Sequence, residues 1–389
     1  MKKIALLLFI FGAPIGDFAA TTVPFILDHN RILIPADVYL PNGQAKHITV
    51  WVDNSTPVLA VSDRLARELR LEIKITKAGD KNATPPKRVL IGGLQLDLSE
   101  LPSAEVDDGT TVGSGMNADM NLPASVLCEY DIVVDYPLRR LTIAARGSVT
   151  FSGTAVRGYF NPKNHLIQLP AGMDGVCFNL ALDVGTPVAF IDSNLLSKFS
   201  MAHPSWPSLQ GAVGIANVWG LDDEPELLLL RMGKLTFGNM VLQNAIAVSF
   251  PVDRLDYFQK RAGIPTAGLM GAASLLNYKL GIDYGHGIVY FEKIMESVNP
   301  NMSLIGITLR PEADGSYHVL SVSSYRGRPA VTGIVKGDKL LSVNDKKVTG
   351  LTMGAVWALL GGEPGTTYTL KLSRQGKEFS VPAPVYCFL

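Results

Sequence analysis

Two aspartates in the chain end short apolar runs and are followed by the same pattern of residues. Around Asp53 the sequence reads Trp-Val-Asp-Asn-Ser-Thr-Pro-Val, and around Asp183 it reads Ala-Leu-Asp-Val-Gly-Thr-Pro-Val. The shared frame is an apolar residue, Asp, any residue, a small residue, and then Thr-Pro-Val. A strand that ends in this way holds a carboxylate at the tip of a turn. Alone, the Asp53 turn would indicate only a helix cap or an Asx-type turn.

Two such tips packed side by side would bring two carboxylates into close range. They could not both ionise there, so the pair would hold one proton and titrate as a unit. One carboxyl could then take a proton from water while the other gives one to a peptide carbonyl, without a covalent intermediate. Asp53 and Asp183 are candidates for such a pair. The supporting turn residues are Asn54, Ser55, Thr56, Val184, Gly185 and Thr186.

The elements around the two turns are repeated in the same order. Each turn leads into an apolar stretch and then a helix start, with Ser62 or Asp63 as the first N-cap and Asp192 or Ser193 as the second. Ser and Asp suit this position because their side-chain oxygens accept free backbone N–H groups.

Further matches lie downstream of the two turns. Residues 122–143 and 271–291 each read as a short helix, a strand, an Asp-Tyr turn and another strand, and strand signals near 88–94 and 230–235 precede them. Such order indicates a duplication, with one half at residues 23–148 and the other at 149–296.

Both halves resemble the retropepsin-type aspartic protease family, whose active sites are hydrophobic-hydrophobic-Asp-Thr/Ser-Gly turns. The resemblance implies a mainly β fold with two retropepsin-like β-barrel halves, related by pseudo-twofold symmetry within one chain, as in pepsin-like enzymes. By resemblance, Asp53 and Asp183 occupy the two catalytic positions. The resemblance also implies flaps over the cleft, at roughly residues 77–87 and 208–221, and a peptide or protein substrate.

The two turns depart from the family pattern. Asn54-Ser55 replaces Thr/Ser-Gly in the first turn, and Val184 replaces the hydroxyl residue in the second. In the family that hydroxyl joins the two turns, and the Gly lets the backbone approach the carboxylates. Ser55 is therefore expected to crowd its turn, and Val184 to contribute no side-chain hydrogen bond. Two functions remain open: an aspartic endopeptidase, or a degenerate relative that grips extended peptides without cutting them.

The last part of the chain, residues 298–385, has a different pattern. Its strand signals and the run Gly-Asp-Lys-Leu-Leu-Ser-Val-Asn from Gly337 resemble a PDZ domain. The resemblance implies binding of a peptide segment as an added strand. The residues expected at this edge are Leu304, Ile305, Gly306 and Ile307. The alternative is a module that only packs on the body of the protein.

The composition argues against several kinds of partner and cofactor. The chain has 389 residues, of which 47% are hydrophobic and 18% charged, with 35 basic and 35 acidic side chains. Without a basic tract, no nucleic-acid partner is expected. The six histidines and three cysteines show no metal-ligand spacing, so no metal or other cofactor is predicted. For the cysteines, buried free thiols are favoured over a disulfide.

The first residues have the layout of a signal peptide. Lys2 and Lys3 precede the apolar run of residues 4–15, and Ala19 and Ala20 follow it. This pattern predicts a signal peptide over residues 1–20 and an exported protein, periplasmic or secreted. The resemblance to retropepsin-like halves joined to a PDZ domain, a bacterial arrangement, implies a bacterial source. An uncleaved N-terminal membrane anchor is the alternative, although the run is short for a full span.

Overall fold

The computed structural model describes residues 20–107, 115–250, 252–260, 262–296 and 302–389. The protein is mainly β and ends in a PDZ domain, which confirms these parts of the predicted fold class. The predicted signal peptide lies outside the described residues except for Ala20. Among the helices in the described ranges, none is long and apolar enough to cross a membrane.

The first part of the body consists of short strands and two short helices. These are β1 (Ala20–Pro24), β2 (Ile26–Asp28), β3 (Arg31–Tyr39), β4 (Ala45–Asp53), β5 (Leu59–Ser62), α1 (Asp63–Glu68), β6 (Ile73–Ile75), β7 (Lys81–Ala83), β8 (Arg88–Ile91), β9 (Leu94–Asp97), β10 (Ala104–Asp107), β11 (Met120–Pro123), α2 (Ala124–Leu127), β12 (Tyr130–Asp135) and β13 (Arg140–Ala145). Most of them form a curved sheet in the order β6-β7-β10-β5-β11-β4-β3-β8-β9.

The second part of the body also consists of strands and short helices. Its elements are β14 (Thr154–Arg157), β15 (Tyr159–Phe160), β16 (Ile167–Met173), β17 (Val176–Leu182), β18 (Ala189–Asp192), α3 (Ser193–Ala202), β19 (Ser208–Gln210), β20 (Leu228–Phe237), β21 (Met240–Phe250), α4 (Val252–Gln259), β22 (Gly268–Met270), β23 (Tyr278–Asp283) and β24 (Ile288–Lys293). Short 3-10 helices occur at Gly214–Ala216, Glu224–Glu226 and Ala272–Ser274. The sheet order is β15-β16-β17-β22-β18-β21-β20-β19.

The strands beside the two Asp turns pair in the same way in both parts. The strand that leads into each Asp runs parallel to a later one, β4 with β11 and β17 with β22. The strand that leaves each turn is also parallel to a later one, β5 with β10 and β18 with β21. Each Asp turn thus lies beside the end of a later strand that pairs parallel with the strand entering the turn and antiparallel with the strand leaving it.

A third sheet joins the two parts. Its order is β1-β13-β12-β23-β24-β14, and β12 and β23 pair antiparallel at its centre, with Ile132 opposite Ile282. The core beneath this sheet contains apolar residues from both parts, including Ile132, Val134, Leu280 and Ile282, each at most 1% exposed. Burial of this apolar surface fixes the two Asp turns relative to each other.

The helices after the two turns begin at equivalent side chains. The Ser62 hydroxyl accepts a hydrogen bond from Leu65 N at 3.2 Å, and the Asp192 carboxylate accepts one from Leu195 N at 2.8 Å. Each cap lies nine residues after its Asp, as the repeated sequence implies.

We expect Asp192→Ala to lower the free energy of unfolding by about 1 kcal/mol, because the first turn of α3 loses its cap. Asp192→Asn keeps an acceptor at the same place and should cost much less. Urea unfolding of both variants checks this expectation, and equal losses in the two would show that the cap oxygen is unimportant.

The PDZ domain follows the body. It contains β25 (Ser303–Leu304), β26 (Ile307–Pro311), β27 (Tyr317–Val322), β28 (Ser324–Tyr325), β29 (Arg328–Pro329), β30 (Lys339–Val343), β31 (Lys346–Lys347), α5 (Met353–Leu360), β32 (Thr367–Arg374), β33 (Lys377–Pro384) and β34 (Tyr386–Cys387). Its main sheet has the order β26-β27-β30-β32-β33, so β26 is an edge strand within that sheet.

The cysteines differ from the expectation of buried thiols. Cys128 is buried, but Cys177 and Cys387 are exposed, and all three are free. The expectation was therefore right for one thiol and wrong for two, because the tips of strands β17 and β34 lie at the surface. Burial raises the pKa of the Cys128 thiol to about 12, which keeps it protonated and unreactive.

Candidate active site

Asp53 and Asp183 lie at the ends of β4 and β17, in the two turns that the sequence predicts. Each residue is only 3% exposed. An added Cβ at Gly185 would lie 3.0 Å from the Asp53 Cα and 3.2 Å from the Asp183 Oδ1. The second turn therefore passes so close to the first that a side chain at this position would have to push its neighbours aside.

The two carboxyl groups accept equivalent backbone hydrogen bonds. Ser55 N donates to Asp53 Oδ1 at 3.1 Å, and Gly185 N donates to Asp183 Oδ1 at 2.8 Å. The Ser55 hydroxyl donates to Asp53 Oδ1 at 2.9 Å and also interacts with the Asp183 carboxyl. Ser55 is not in the left-handed backbone region, so the expected crowding of its turn does not occur. Instead, this residue donates both its N–H and its hydroxyl to Asp53.

Asn54 joins the two turns. Its Nδ2 donates to Leu182 O at 3.1 Å, and its Oδ1 accepts from Val184 N at 2.7 Å. Asn54 is 1% exposed, so these bonds are shielded from water. Val184 is buried, and its apolar side chain makes no hydrogen bond, as the sequence predicts. One amide, with both a donor and an acceptor, thus makes the cross-turn link that sequence reasoning assigned to hydroxyl residues.

The electrostatics of the pair follow from burial. Burial raises the pKa of Asp53 to about 6. Burial and the neighbouring Asp53 charge together raise the pKa of Asp183 to about 8. By contrast, Asp97 has the same two hydrogen bonds from a serine two residues later, but it is exposed, and the Ser99 hydrogen bonds lower its pKa. The raised values therefore come from the interior position and not from the Asp-x-Ser turn.

Two buried tyrosines stand close to the acids, and the sequence reasoning did not identify them. Tyr136 and Tyr284 are each 1% exposed. Burial raises the pKa of both hydroxyls, and the charge of Asp183 adds to the effect at Tyr136 and that of Asp53 at Tyr284. The available signal was the Asp-Tyr pair at the end of both β12 and β23, which the sequence analysis took only as a turn. Each tyrosine comes from one half and faces the aspartate of the other.

The remaining turn residues hold the strands that follow. Thr56 O accepts from Ala124 N at 2.8 Å, and Thr186 O accepts from Ala272 N at 2.9 Å. The two threonines thus make the same contact in their own halves, where each turn meets the segment after its parallel partner strand.

The two predicted flaps differ in their surroundings. The first, at roughly 77–87, covers the turn after β6 and strand β7, where Ile75 just before it is 71% exposed. The second, at roughly 208–221, continues from β19 into a buried stretch that contacts the PDZ domain: Asn217 Oδ1 accepts from Leu309 N at 2.8 Å.

The residues predicted for the PDZ peptide edge are all buried: Leu304, Ile305, Gly306 and Ile307. Ile305 N donates to Leu360 O at 2.9 Å, and Ile307 N donates to Ile305 O at 2.9 Å. These two N–H groups are therefore used within the domain. The outward edge of β26 begins at Thr308 and Leu309 instead.

No cluster of three or more His, Cys, Asp or Glu side chains that could hold a metal ion occurs in the described ranges. The chemistry of the site has to be considered from the two carboxyl groups and their neighbours.

Comparison with known proteins identifies one part of the chain. Residues 303–385 match the PDZ domain family, so the chain is a mainly β body followed by a PDZ domain. No curated protein sequence matches the chain.

Among solved structures, the chain is similar to the aspartic proteinase from Irpex lacteus, at 14% identity over 71% of this chain and 97% of that one, with a TM-score of 0.42. The photosystem II D1 C-terminal processing protease is 19% identical over 22% of this chain and 24% of that one, with a TM-score of 0.19. TM-scores this low do not assign a fold.

Proposed function

We propose that the body consists of two retropepsin-like halves related by a pseudo-twofold axis, and that it hydrolyses peptide bonds with Asp53 and Asp183. One observation carries the proposal. Two buried carboxyl groups, in turns that approach closely at Gly185 and are joined by Asn54, have raised pKa values. The equivalent strand pairings and helix caps support the duplication on which this proposal depends.

The chemistry follows from one shared proton. The ionised carboxylate takes a proton from a water molecule, whose oxygen attacks the carbon of the peptide carbonyl. The protonated carboxyl gives its proton to the carbonyl oxygen, which yields a neutral tetrahedral diol. On collapse, one diol hydroxyl returns a proton to a carboxylate, the C–N bond breaks, and the other carboxyl protonates the leaving amine. The pair ends with one proton, as it began.

Several contacts suit this role. Asn54 and Gly185 hold the two turns in contact, and the buried tyrosines lie close to the carboxyl groups. Because water is largely excluded, charge at the pair is poorly screened and one proton is retained near neutral pH. Activity therefore needs a peptide to reach acids that are 3% exposed, so part of the cover has to move.

The PDZ domain implies peptide binding. We propose that it recruits a peptide segment for the body to act on. The signal-peptide pattern supports export to the periplasm or secretion as part of the same proposal, because a peptide hydrolase with a recruiting module would act on other exported proteins.

The pH dependence of cleavage tests the proposal. Below the pKa of about 6 the pair gains a second proton and loses its base, and above the pKa of about 8 it loses its acid. We expect the fastest cleavage of a mixed peptide library between these values, with a fall of about tenfold per pH unit outside them. Mass spectrometry of the products measures this.

The second candidate is a relative that binds extended peptides without cutting them, which the apolar Val184 in the second turn favours. In that case the library would yield no products at any pH, although some peptides would be retained on the immobilised protein. A cleavage optimum below pH 4 would contradict the raised pKa values of the two aspartates.

A further inference from the structure

The exposed edge expected for the PDZ domain is covered by the body of the same chain. We use the name groove segment for residues 211–227, which join β19 to β20 and include most of the predicted second flap. From residue 211 to 220, every residue except Ile215 and Trp219 is buried. The groove segment therefore lies inside the molecule and does not project over an open cleft.

Its polar contacts run along the edge strand β26. Thr308 Oγ1 donates to Ala212 O at 2.6 Å, and Leu309 N donates to Asn217 Oδ1 at 2.8 Å. Because β26 ends its sheet, its outward N–H groups are those that an added peptide strand would bind. The amide oxygen of Asn217 thus takes the place of a peptide carbonyl.

The apolar contacts leave no room for a second chain. An added Cβ at Gly214 would lie 2.9 Å from Leu304 Cδ2, and one at Gly220 would lie 2.7 Å from Pro311 Cδ. Backbone of the groove segment therefore touches the PDZ domain between the contacts at Ala212 and Asn217, and again beyond Asn217. An external peptide can use this edge only after the groove segment leaves it.

The groove segment also reaches helix α5. Asn217 O bonds to His29 Nε2 at 2.9 Å, and the His29 ring stacks on Trp357 of α5 with 6.5 Å between ring centroids. His29 also lies against Gly354, where an added Cβ would be 2.4 Å from His29 N. Asn217 is thereby connected both to the edge strand and to the helix of the PDZ domain.

At the end of the groove segment, an acidic side chain pairs with basic side chains of the PDZ domain. The Asp222 carboxylate pairs with Lys336 Nζ at 3.0 Å and lies 3.6 Å from Arg310 Nη1. The buried Glu224 carboxylate accepts from Trp219 N at 2.7 Å and from Gly220 N at 3.1 Å, which fixes the shape of the turn. The groove segment thus presents mostly small and apolar residues to the PDZ domain, followed by the acidic Asp222.

We propose that the groove segment is the resident ligand of the PDZ domain, and that an extended peptide of small apolar residues followed by an acidic residue displaces it. A tethered ligand competes at an effective concentration of about millimolar, so free peptide binds weakly until the tethered contacts are loosened. Displacement would also free the predicted second flap. Only this consequence for cleavage rests on the proposed function.

The test uses the full chain and a fluorescein-labelled synthetic peptide with the sequence of residues 211–227. Asn217→Ala loosens the groove segment but leaves the PDZ edge intact, so we expect it to bind the probe at least tenfold more tightly than the unchanged protein. Asp222→Lys changes only an exposed ion pair and should tighten binding about threefold. The double variant Asn217→Ala/Thr308→Val should bind the probe more weakly than Asn217→Ala alone, because Thr308→Val removes a donor on the PDZ side.

Hydrogen exchange gives the second readout, and Asn42→Ala serves as a surface control that should behave as the unchanged protein. The Trp219 and Gly220 amides should exchange faster in Asn217→Ala, and also in the unchanged protein at saturating probe. Equal probe affinity in all proteins, or no binding to any of them, would overturn the inference. If the probe results hold but no peptide is cleaved, the proposed function fails and the inference stands.

Discussion

Replacing Asp183 with Asn is expected to abolish peptide cleavage and, at the same time, to stabilise the folded protein at pH 8. The loss of cleavage should be at least about a thousandfold, because an amide cannot serve as the acid or the base of the pair. Asp53→Asn should have the same effect on cleavage. Initial rates with a peptide found to be cleaved by the unchanged protein measure both losses.

The gain in stability follows from the direction of the pKa shift. The pKa of Asp183 is raised from 3.8 to about 8 by folding, so between these values the folded state holds more protons than the unfolded state. The free energy of unfolding of the unchanged protein therefore falls as the pH rises through this interval. Asn does not titrate, so the advantage of the variant should be absent below pH 4 and largest above pH 8.

The size of this advantage should be at least about 1 kcal/mol at pH 8, since one unit of pKa shift corresponds to about 1.4 kcal/mol. For Asp53→Asn the gain should be smaller and complete at lower pH, because the raised pKa is about 6. Asp97→Asn is the matched control, an exposed Asp-x-Ser turn with a lowered pKa. It should leave cleavage unchanged and give no gain in stability at any pH.

Asn54→Ala is expected to destabilise the protein by about 2–5 kcal/mol. The change leaves Leu182 O and Val184 N without the partners that they have at 3.1 and 2.7 Å, in a place where water does not replace them. Each buried unsatisfied group costs about 1–3 kcal/mol. Cleavage should fall as well, because the two aspartates lose the link that holds their turns together.

Two further variants distinguish the loss of the cross-turn hydrogen bonds from the loss of side-chain volume at Asn54. Asn54→Thr keeps one hydroxyl that can accept and donate, so its cost should lie between those of the unchanged residue and Ala. Asn42→Ala removes an exposed amide with one backbone hydrogen bond and should cost less than about 0.5 kcal/mol. If Asn54→Ala were as mild as this surface control, the cross-turn bonds would not hold the site together.

The sequence contained enough to locate the two Asp turns. The repeated frame around Asp53 and Asp183, together with the N-cap residues nine positions later, is local information, and local patterns report directly on strands, turns and helix starts. The Asp-Tyr pairs were also visible, but only as turns. Their burial beside the acids depends on the packing of β12 against β23, which periodicity within one half does not reveal.

Other features depended on contacts between distant residues. In the sequence, Asn54 was only a departure from the family pattern. A single sequence does not show that its amide contacts Leu182 and Val184, about 130 positions away. The position of the groove segment against the PDZ domain also depends on contacts between residues that are far apart in the sequence. The sequence predicts a flap over the cleft at roughly 208–221, whereas in the structure the glycines at 211, 214 and 220 allow close packing against the PDZ domain.

The central claim is that Asp53 and Asp183 share one proton across the two halves, and carbon-13 NMR of protein labelled at the Asp carboxyl carbons tests it most directly. Signals assigned with Asp53→Asn and Asp183→Asn should titrate together, with apparent pKa values near 6 and 8, so that one proton remains bound between these values. In either single variant the remaining carboxyl should titrate in one step. Two independent titrations near pH 4 in the unchanged protein would contradict the claim.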